Sequence, residues 1–161
     1  MRIRTISICL AASLGLSTVA RADTRLGLGA AASAEARGLS ADLALDHVLV
    51  EATLGGWATT YASGDHVSVT RASIGALVPV AKRDRATLYA GLRLDALRMD
   101  PANPPGTLTT EPLLAAPLRI QLDVTSWLSV DAEAAIVLVR AGSNVQGGQV
   151  VSPSAGFTVW F

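Results

Sequence analysis

The chain has 161 residues, half of them hydrophobic, and balances 13 Lys+Arg against 13 Asp+Glu. That charge excludes the basic patch nucleic acid requires. Mean hydropathy is +0.42, yet past the N-terminus no stretch approaches the roughly 18 continuous apolar residues of a spanning helix. Aromatics make up only 4%, too few for the large core that so apolar a soluble globule would need. A barrel with its apolar residues turned to lipid accounts for both facts.

Residues 1–22 have the layout of a secretory signal peptide. Arg2 and Arg4 form a positive start, Ile6 to Leu16 a short apolar run, and Ala20-Arg21-Ala22 a small-residue cleavage site before Asp23. Cys9 lies inside that run, too early for a lipoprotein site, and leaves with it. The mature domain, 23–161, then has no cysteine and no disulfide framework. It is weakly acidic, because Arg2, Arg4 and Arg21 are removed, and Lys82 is its only lysine.

Beyond the signal the dominant period is two. Two short, Gly/Ala-rich strands are expected at about 24–35 and 39–46, joined through Arg37-Gly38. Further strands follow at 48–61 and 66–81. In the latter the phase slips: Val67 and Val69 share one parity, Ile74, Ala76, Val78 and Val80 the other. A bulge near Thr70–Ser73 would reconcile them. Alternation is clearest next, in 86–99, where Leu88, Ala90, Leu92 and Leu94 oppose Tyr89, Gly91, Arg93 and Asp95. Strands at 112–124, 128–140 and 149–161 complete a set of eight, although Pro117 brings no N–H to its ladder.

The connections alternate in kind. Turns near Asp46-His47, Lys82–Arg85 and Thr125–Trp127 are short, while Ser63–Asp65, Asp100–Thr110 and Ala141–Gly148 fall at the other end and include the longest. Membrane barrels place short turns in the periplasm and longer loops outside. The sequence therefore predicts an all-β fold, an eight-stranded antiparallel up-and-down transmembrane barrel behind a cleavable signal peptide.

The final stretch, Ser154-Ala155-Gly156-Phe157-Thr158-Val159-Trp160-Phe161, sets Phe157, Val159 and Phe161 on one face and stops on an aromatic. It resembles the C-terminal signature of outer-membrane β-barrel proteins that the barrel-assembly machinery recognises. In length and strand count the chain is similar to the OmpX family and to the transmembrane domain of the OmpA family. That resemblance implies a bacterial outer-membrane location, surrounding lipid and lipopolysaccharide, and the assembly machinery as a partner during insertion. A monomer is the expected form. The family's aromatic girdles are thin here: Trp127, Phe157, Trp160 and Phe161 are available for the periplasmic rim. Only Trp57 and Tyr61 remain for the outer one, and strict parity turns Trp57 inward unless Gly55-Gly56 hosts a bulge.

On this reading the lumen receives Arg25, Glu35, Asp42, Glu51, Arg71, Arg93, Asp95, Arg119, Asp123, Asp131 and Glu133. Eight strands enclose a space that side chains fill, so Arg93 and Arg119 are expected to bond Glu51, Asp95, Asp123 or Asp131. A salt-bridge network with a structural or interaction role in the envelope is the leading reading, and a narrow gated pore the sharper one.

Two alternatives stay open. A soluble, lipocalin-like periplasmic barrel would reverse the faces, with Leu92, Leu94, Ile120 and Ile136 inward and Arg93, Arg119 and Asp123 outward. A lipid A hydrolase would use His66 and Ser68, whose His-x-Ser spacing resembles outer-membrane lipid A deacylases and puts both on one face. No acidic third member is identifiable from sequence. Neither a metal-binding spacing nor a glycine-rich phosphate loop is found, so no cofactor is implied.

Overall fold

A computed structural model describes residues 24–33, 37–60, 66–101, 109–140 and 151–161. Eight strands run in order: β1 (Arg25–Ser33), β2 (Arg37–Leu45), β3 (Val48–Thr60), β4 (His66–Arg83), β5 (Ala86–Pro101), β6 (Thr109–Asp123), β7 (Leu128–Arg140) and β8 (Val151–Trp160). Each pairs antiparallel with the next, and β8 returns to β1, closing the barrel. Closure leaves no unpaired edge. The 1–22 segment, Glu35, Tyr61, the Ser63–Asp65 connection, most of the 100–110 loop and the 141–148 loop lie outside the described residues.

At one end sit the short turns, Asp46-His47, Asp84-Arg85 and 124–127. Asp84 has φ 49°, a left-handed conformation that Asp tolerates better than most residues. Arg37 and Gly38 belong to β2 rather than to the connection expected there, pairing with Ala32 and Ala31. Gly38 can do so because it packs on the backbone of Leu54 and Gly55, where a Cβ would not fit. The seam between β1 and β8 runs from Gly27↔Trp160 to Ser33↔Ser154. Beyond it, the Phe161 amide donates to the Leu26 carbonyl at 2.8 Å.

The period of two has the polarity of a barrel in lipid. Leu54, Ile74, Leu92, Leu94, Leu118, Ile120 and Ile136 are exposed on the outer wall, while Glu51, Arg93, Arg119 and Glu133 are buried inside. This is the reverse of what the soluble, lipocalin-like alternative requires. Inside, two apolar clusters flank the charged residues. Leu49, Leu77 and Trp160, with Ala44 and Tyr89, lie toward the turns. Val69, Leu97 and Leu113, with Val137, lie toward the loops.

That second cluster explains the phase slip in β4. Register is unbroken from Thr70 to Ser73, so no bulge lies there; the irregularity falls at Pro79/Ala81 instead. Val69 is buried on the lumen side while Ile74 is exposed on the outer wall. Polarity, not register, is what changes along this strand. Toward the loops the lumen side becomes apolar and the outer side polar, with Ser68 and Thr70 on the outer parity.

Pro117 sits inward and fully buried. The β5–β6 ladder skips the pairs around Gly91 and Pro117, so the missing N–H falls where no bond is made. Pairing through Gly55, Gly56 and Trp57 is continuous, which leaves Trp57 on the lumen parity opposite Val69. Trp160 is also inward, at 6% exposure, and is not a rim residue. Among the described aromatics, Trp127, Phe157 and Phe161 face out toward the turn end.

Candidate functional site

The densest chemistry in the described structure is the charged layer between the two apolar clusters. Arg119 on β6 stands directly opposite Glu133 on β7. Its Nε and Nη2 donate to Glu133 Oε2 at 3.1 and 2.9 Å. The same Nη2 crosses the lumen to Glu51 Oε2. Arg93 mirrors this from β5, its Nη1 donating to Glu133 Oε1 and to Glu51 Oε1, the latter at 3.5 Å. Two arginines and two glutamates thus close a ring in which every carboxylate oxygen accepts an N–H.

Arg71 and Asp95 form a second unit beside the ring. Nε and Nη2 of Arg71 meet the two carboxylate oxygens of Asp95 at 3.1 and 3.0 Å, the two-pronged geometry a guanidinium favours. Asp95 Oδ1 also lies 3.3 Å from Arg93 Nε, linking unit to ring. On the opposite wall Asp42 accepts from Thr158 Oγ1 at 2.9 Å, and its Oδ1 lies 4.0 Å from Arg119. Asp131 borders a small cavity of about 60 Å³ together with Arg71, Arg93, Arg119 and Glu133.

Glycines make this layer possible. A Cβ on Gly75 would come within 2.8 Å of Glu51 Oε1, and one on Gly156 within 3.1 Å of Asp131 Oδ1. The long side chains of β3 and β5–β7 occupy the space those glycines leave.

Of the residues picked from sequence, Glu51, Arg71, Arg93, Asp95, Arg119 and Glu133 are joined by the ion pairs above, and Asp131 lies beside them. Two are not brought together with Arg93 and Arg119. Asp123 accepts from Gln121 at 3.1 Å near the turn end. Arg25 caps that end, donating to the Ser126 carbonyl at 2.6 Å with its guanidinium 4.8 Å from the Trp160 ring centroid. Asp42, counted inward but given no partner, binds Thr158. Also missed was the Trp160 indole, which donates to Ser129 Oγ at 2.8 Å. Parity was the available signal, since Trp160 shares it with Thr158.

Phe157, Val159 and Phe161 lie along the outer face of the closing strand; Phe157 and Phe161 are exposed and Val159 half-buried. His66 and Ser68 sit two residues apart near the loop end of β4, opposite Thr60 and Ala58 on β3. In the β4–β5 register Ser68 is also paired with Asp100, a pairing that sequence spacing could not supply.

No protein-family model matches the chain, and no curated protein matches it either. Solved structures do. The chain is similar to the Neisserial surface protein A, at 16% identity and TM-score 0.61 over 86% of this chain and 95% of that one. It is similar also to Ail, the attachment invasion locus protein of Yersinia pestis, at 13% identity and TM-score 0.55 over 86% and 97%. The likeness is one of fold. This chain has the architecture of the small eight-stranded outer-membrane barrels.

Proposed function

We propose that this chain is an exported bacterial outer-membrane protein, with residues 1–22 its signal peptide and 23–161 its barrel. Its lumen is a polar plug of side chains, not a solute path, and its role in the envelope is structural or interactive. The observation that carries this reading is face polarity: leucines and isoleucines cover the outer wall while the Arg93–Glu133–Arg119–Glu51 ring is buried. In water that outer wall would be an apolar patch far beyond what a soluble monomer exposes. Buried charges of both signs, cross-bonded between facing strands, hold the walls together and leave little room for a solute. The short turns then face the periplasm and the loops face out. Phe157, Val159 and Phe161 serve the assembly machinery during insertion, and the barrel works as a monomer in lipid that includes lipopolysaccharide.

Cell fractionation with heat-modifiable migration on a gel tests the location. Recovery in the outer membrane, with a faster unheated band, is expected; a soluble periplasmic protein without the shift would sink the reading. Planar-bilayer recording tests the plug, for which no steady conductance is expected.

A second reading, a lipid A hydrolase, draws support from one observation, the register that sets Asp100 opposite Ser68. Ser68→Ala with unchanged lipid A acylation in cells would end it.

A further inference from the structure

A single ladder row crosses the outer wall at the level where its polarity changes. Successive pairings place Arg37 opposite Gly56, Gly56 opposite Thr70, Thr70 opposite Arg98, and Arg98 opposite Thr110. Paired residues point to the same side of a sheet. Arg37, Thr70, Arg98 and Thr110 are exposed, and Gly56 is half-buried. The next row on that face toward the turn end, Leu39, Leu54, Ala72, Ala96 and Pro112, is entirely apolar. On the loop side the face carries Ser68, opposite Ala58. The row is therefore the edge of the lipid-facing band.

Two arginines at such an edge are out of place unless something anionic meets them. Among the described residues, neither Arg37 nor Arg98 forms an ion pair. Three strand steps separate them, roughly 14 Å along the wall at the usual strand spacing. Between them Gly56 presents no side chain and Thr70 a hydroxyl, a flat platform with one hydrogen-bonding group. Below, Leu39 at 72% and Leu54 at 60% exposure offer apolar surface to hydrocarbon chains. The ligand that fits has two phosphates about that far apart, a flat polar body between them, and acyl chains on one side.

We infer that this row binds the headgroup of lipid A, with Arg37 on one phosphate, Arg98 with Thr70 and Thr110 on the other, and the linked sugars over Gly56. The inference rests on the outer-membrane reading, which sets the loop end in the lipopolysaccharide leaflet. Arginine is suited to the task because its fork donates two N–H bonds to one phosphate.

The test uses the mature barrel, folded in a neutral detergent, and native mass spectrometry with bisphosphorylated, monophosphorylated and dephosphorylated lipid A. The wild type is expected to bind the bisphosphorylated form about tenfold more tightly than the dephosphorylated one, as one or two charge-assisted bonds imply. Either Arg37→Gln or Arg98→Gln should lower bisphosphorylated binding to the monophosphorylated level. Arg83→Gln at the turn end should change nothing. Equal binding of all three forms by the wild type, or no effect of Arg98→Gln in a barrel that keeps its heat-shifted band, overturns the proposal. So does equal binding of phosphatidylglycerol, or displacement by millimolar inorganic phosphate. A wild-type chain that forms no heat-shifted band at all sinks the membrane reading instead.

Discussion

Arg119 and Glu133 face each other across the β6–β7 ladder and are joined by two hydrogen bonds, at 3.1 and 2.9 Å, inside a barrel that leaves the glutamate 5% exposed. Glu133 also takes Arg93 on its other oxygen, so one carboxylate holds two guanidiniums. Removing one partner of a buried pair leaves an uncompensated charge, which costs about 3–5 kcal/mol. Glu133→Ala is expected to lose that much in denaturant unfolding followed by tryptophan fluorescence. Glu133→Gln keeps an acceptor oxygen and should lose less. A loss under about 1 kcal/mol for the alanine variant would be the value of an exposed pair and would mean that water reaches the ring.

Leu118 tests the outer wall. It is 50% exposed, near the middle of the apolar face of β6 between Pro112 and Leu122. An arginine at the midplane of a lipid-facing barrel wall costs about 2–4 kcal/mol. Leu118→Arg should lower the unfolding free energy in vesicles by that amount. The same change on a water-exposed strand should stay within about 0.5 kcal/mol. Equilibrium unfolding in vesicles, compared with a polar substitution at exposed Thr70, separates the two situations.

The fold was largely legible because an apolar outer wall and polar side chains inside write a period of two on every long strand. From β3 on, the strands lie where alternation put them, to within a few residues. What alternation cannot encode is the height at which its sense reverses. Val69 and Ile74 carry the same chemistry, yet one packs in the lumen cluster near the loops and the other faces the outer wall. Read as parity alone, the pair looks like a bulge. The membership of the ionic layer was legible in the same way, its bonding much less so. Glu133 pairs with Arg119 through the ladder, but the bonds from Glu51 on β3 to Arg93 and Arg119 cross the lumen. Those contacts depend on strand stagger, which no local pattern reports. Trp160 was misplaced for another reason: its identity suggested a rim, whereas its parity pointed inward.

Gly29 governs closure of the barrel. It stands opposite Thr158 on β8 and Ser40 on β2, and a Cβ there would strike the backbone carbonyl of Phe157 and lie 2.9 Å from Ser40 Oγ. A carbonyl held in the β1–β8 seam cannot rotate away without giving up its place in the ladder. Gly29→Val should abolish the heat-shifted band. Ala30→Val, one residue on and on the outer parity, should leave it intact. If both variants close equally well, the close approach at Gly29 is not what sets the seam.

Trp160 locks the turn end from within. Its indole N–H donates to Ser129, which is 1% exposed, and its ring lies under the Arg25 guanidinium at 4.8 Å. Trp160→Phe keeps a ring but strands the serine hydroxyl, for an expected loss of about 1–3 kcal/mol from the unpaired buried group. Ser129→Ala alone strands the indole and should cost a similar amount. When both partners of a buried hydrogen bond are removed the penalty shrinks, so the double variant Trp160→Phe/Ser129→Ala should be less destabilised than the two single losses added together. A double-mutant cycle on unfolding free energies measures that coupling. Strict additivity would mean that the bond contributes nothing, leaving the Arg25 contact and the fit against Leu49 and Leu77 as the anchors of this end.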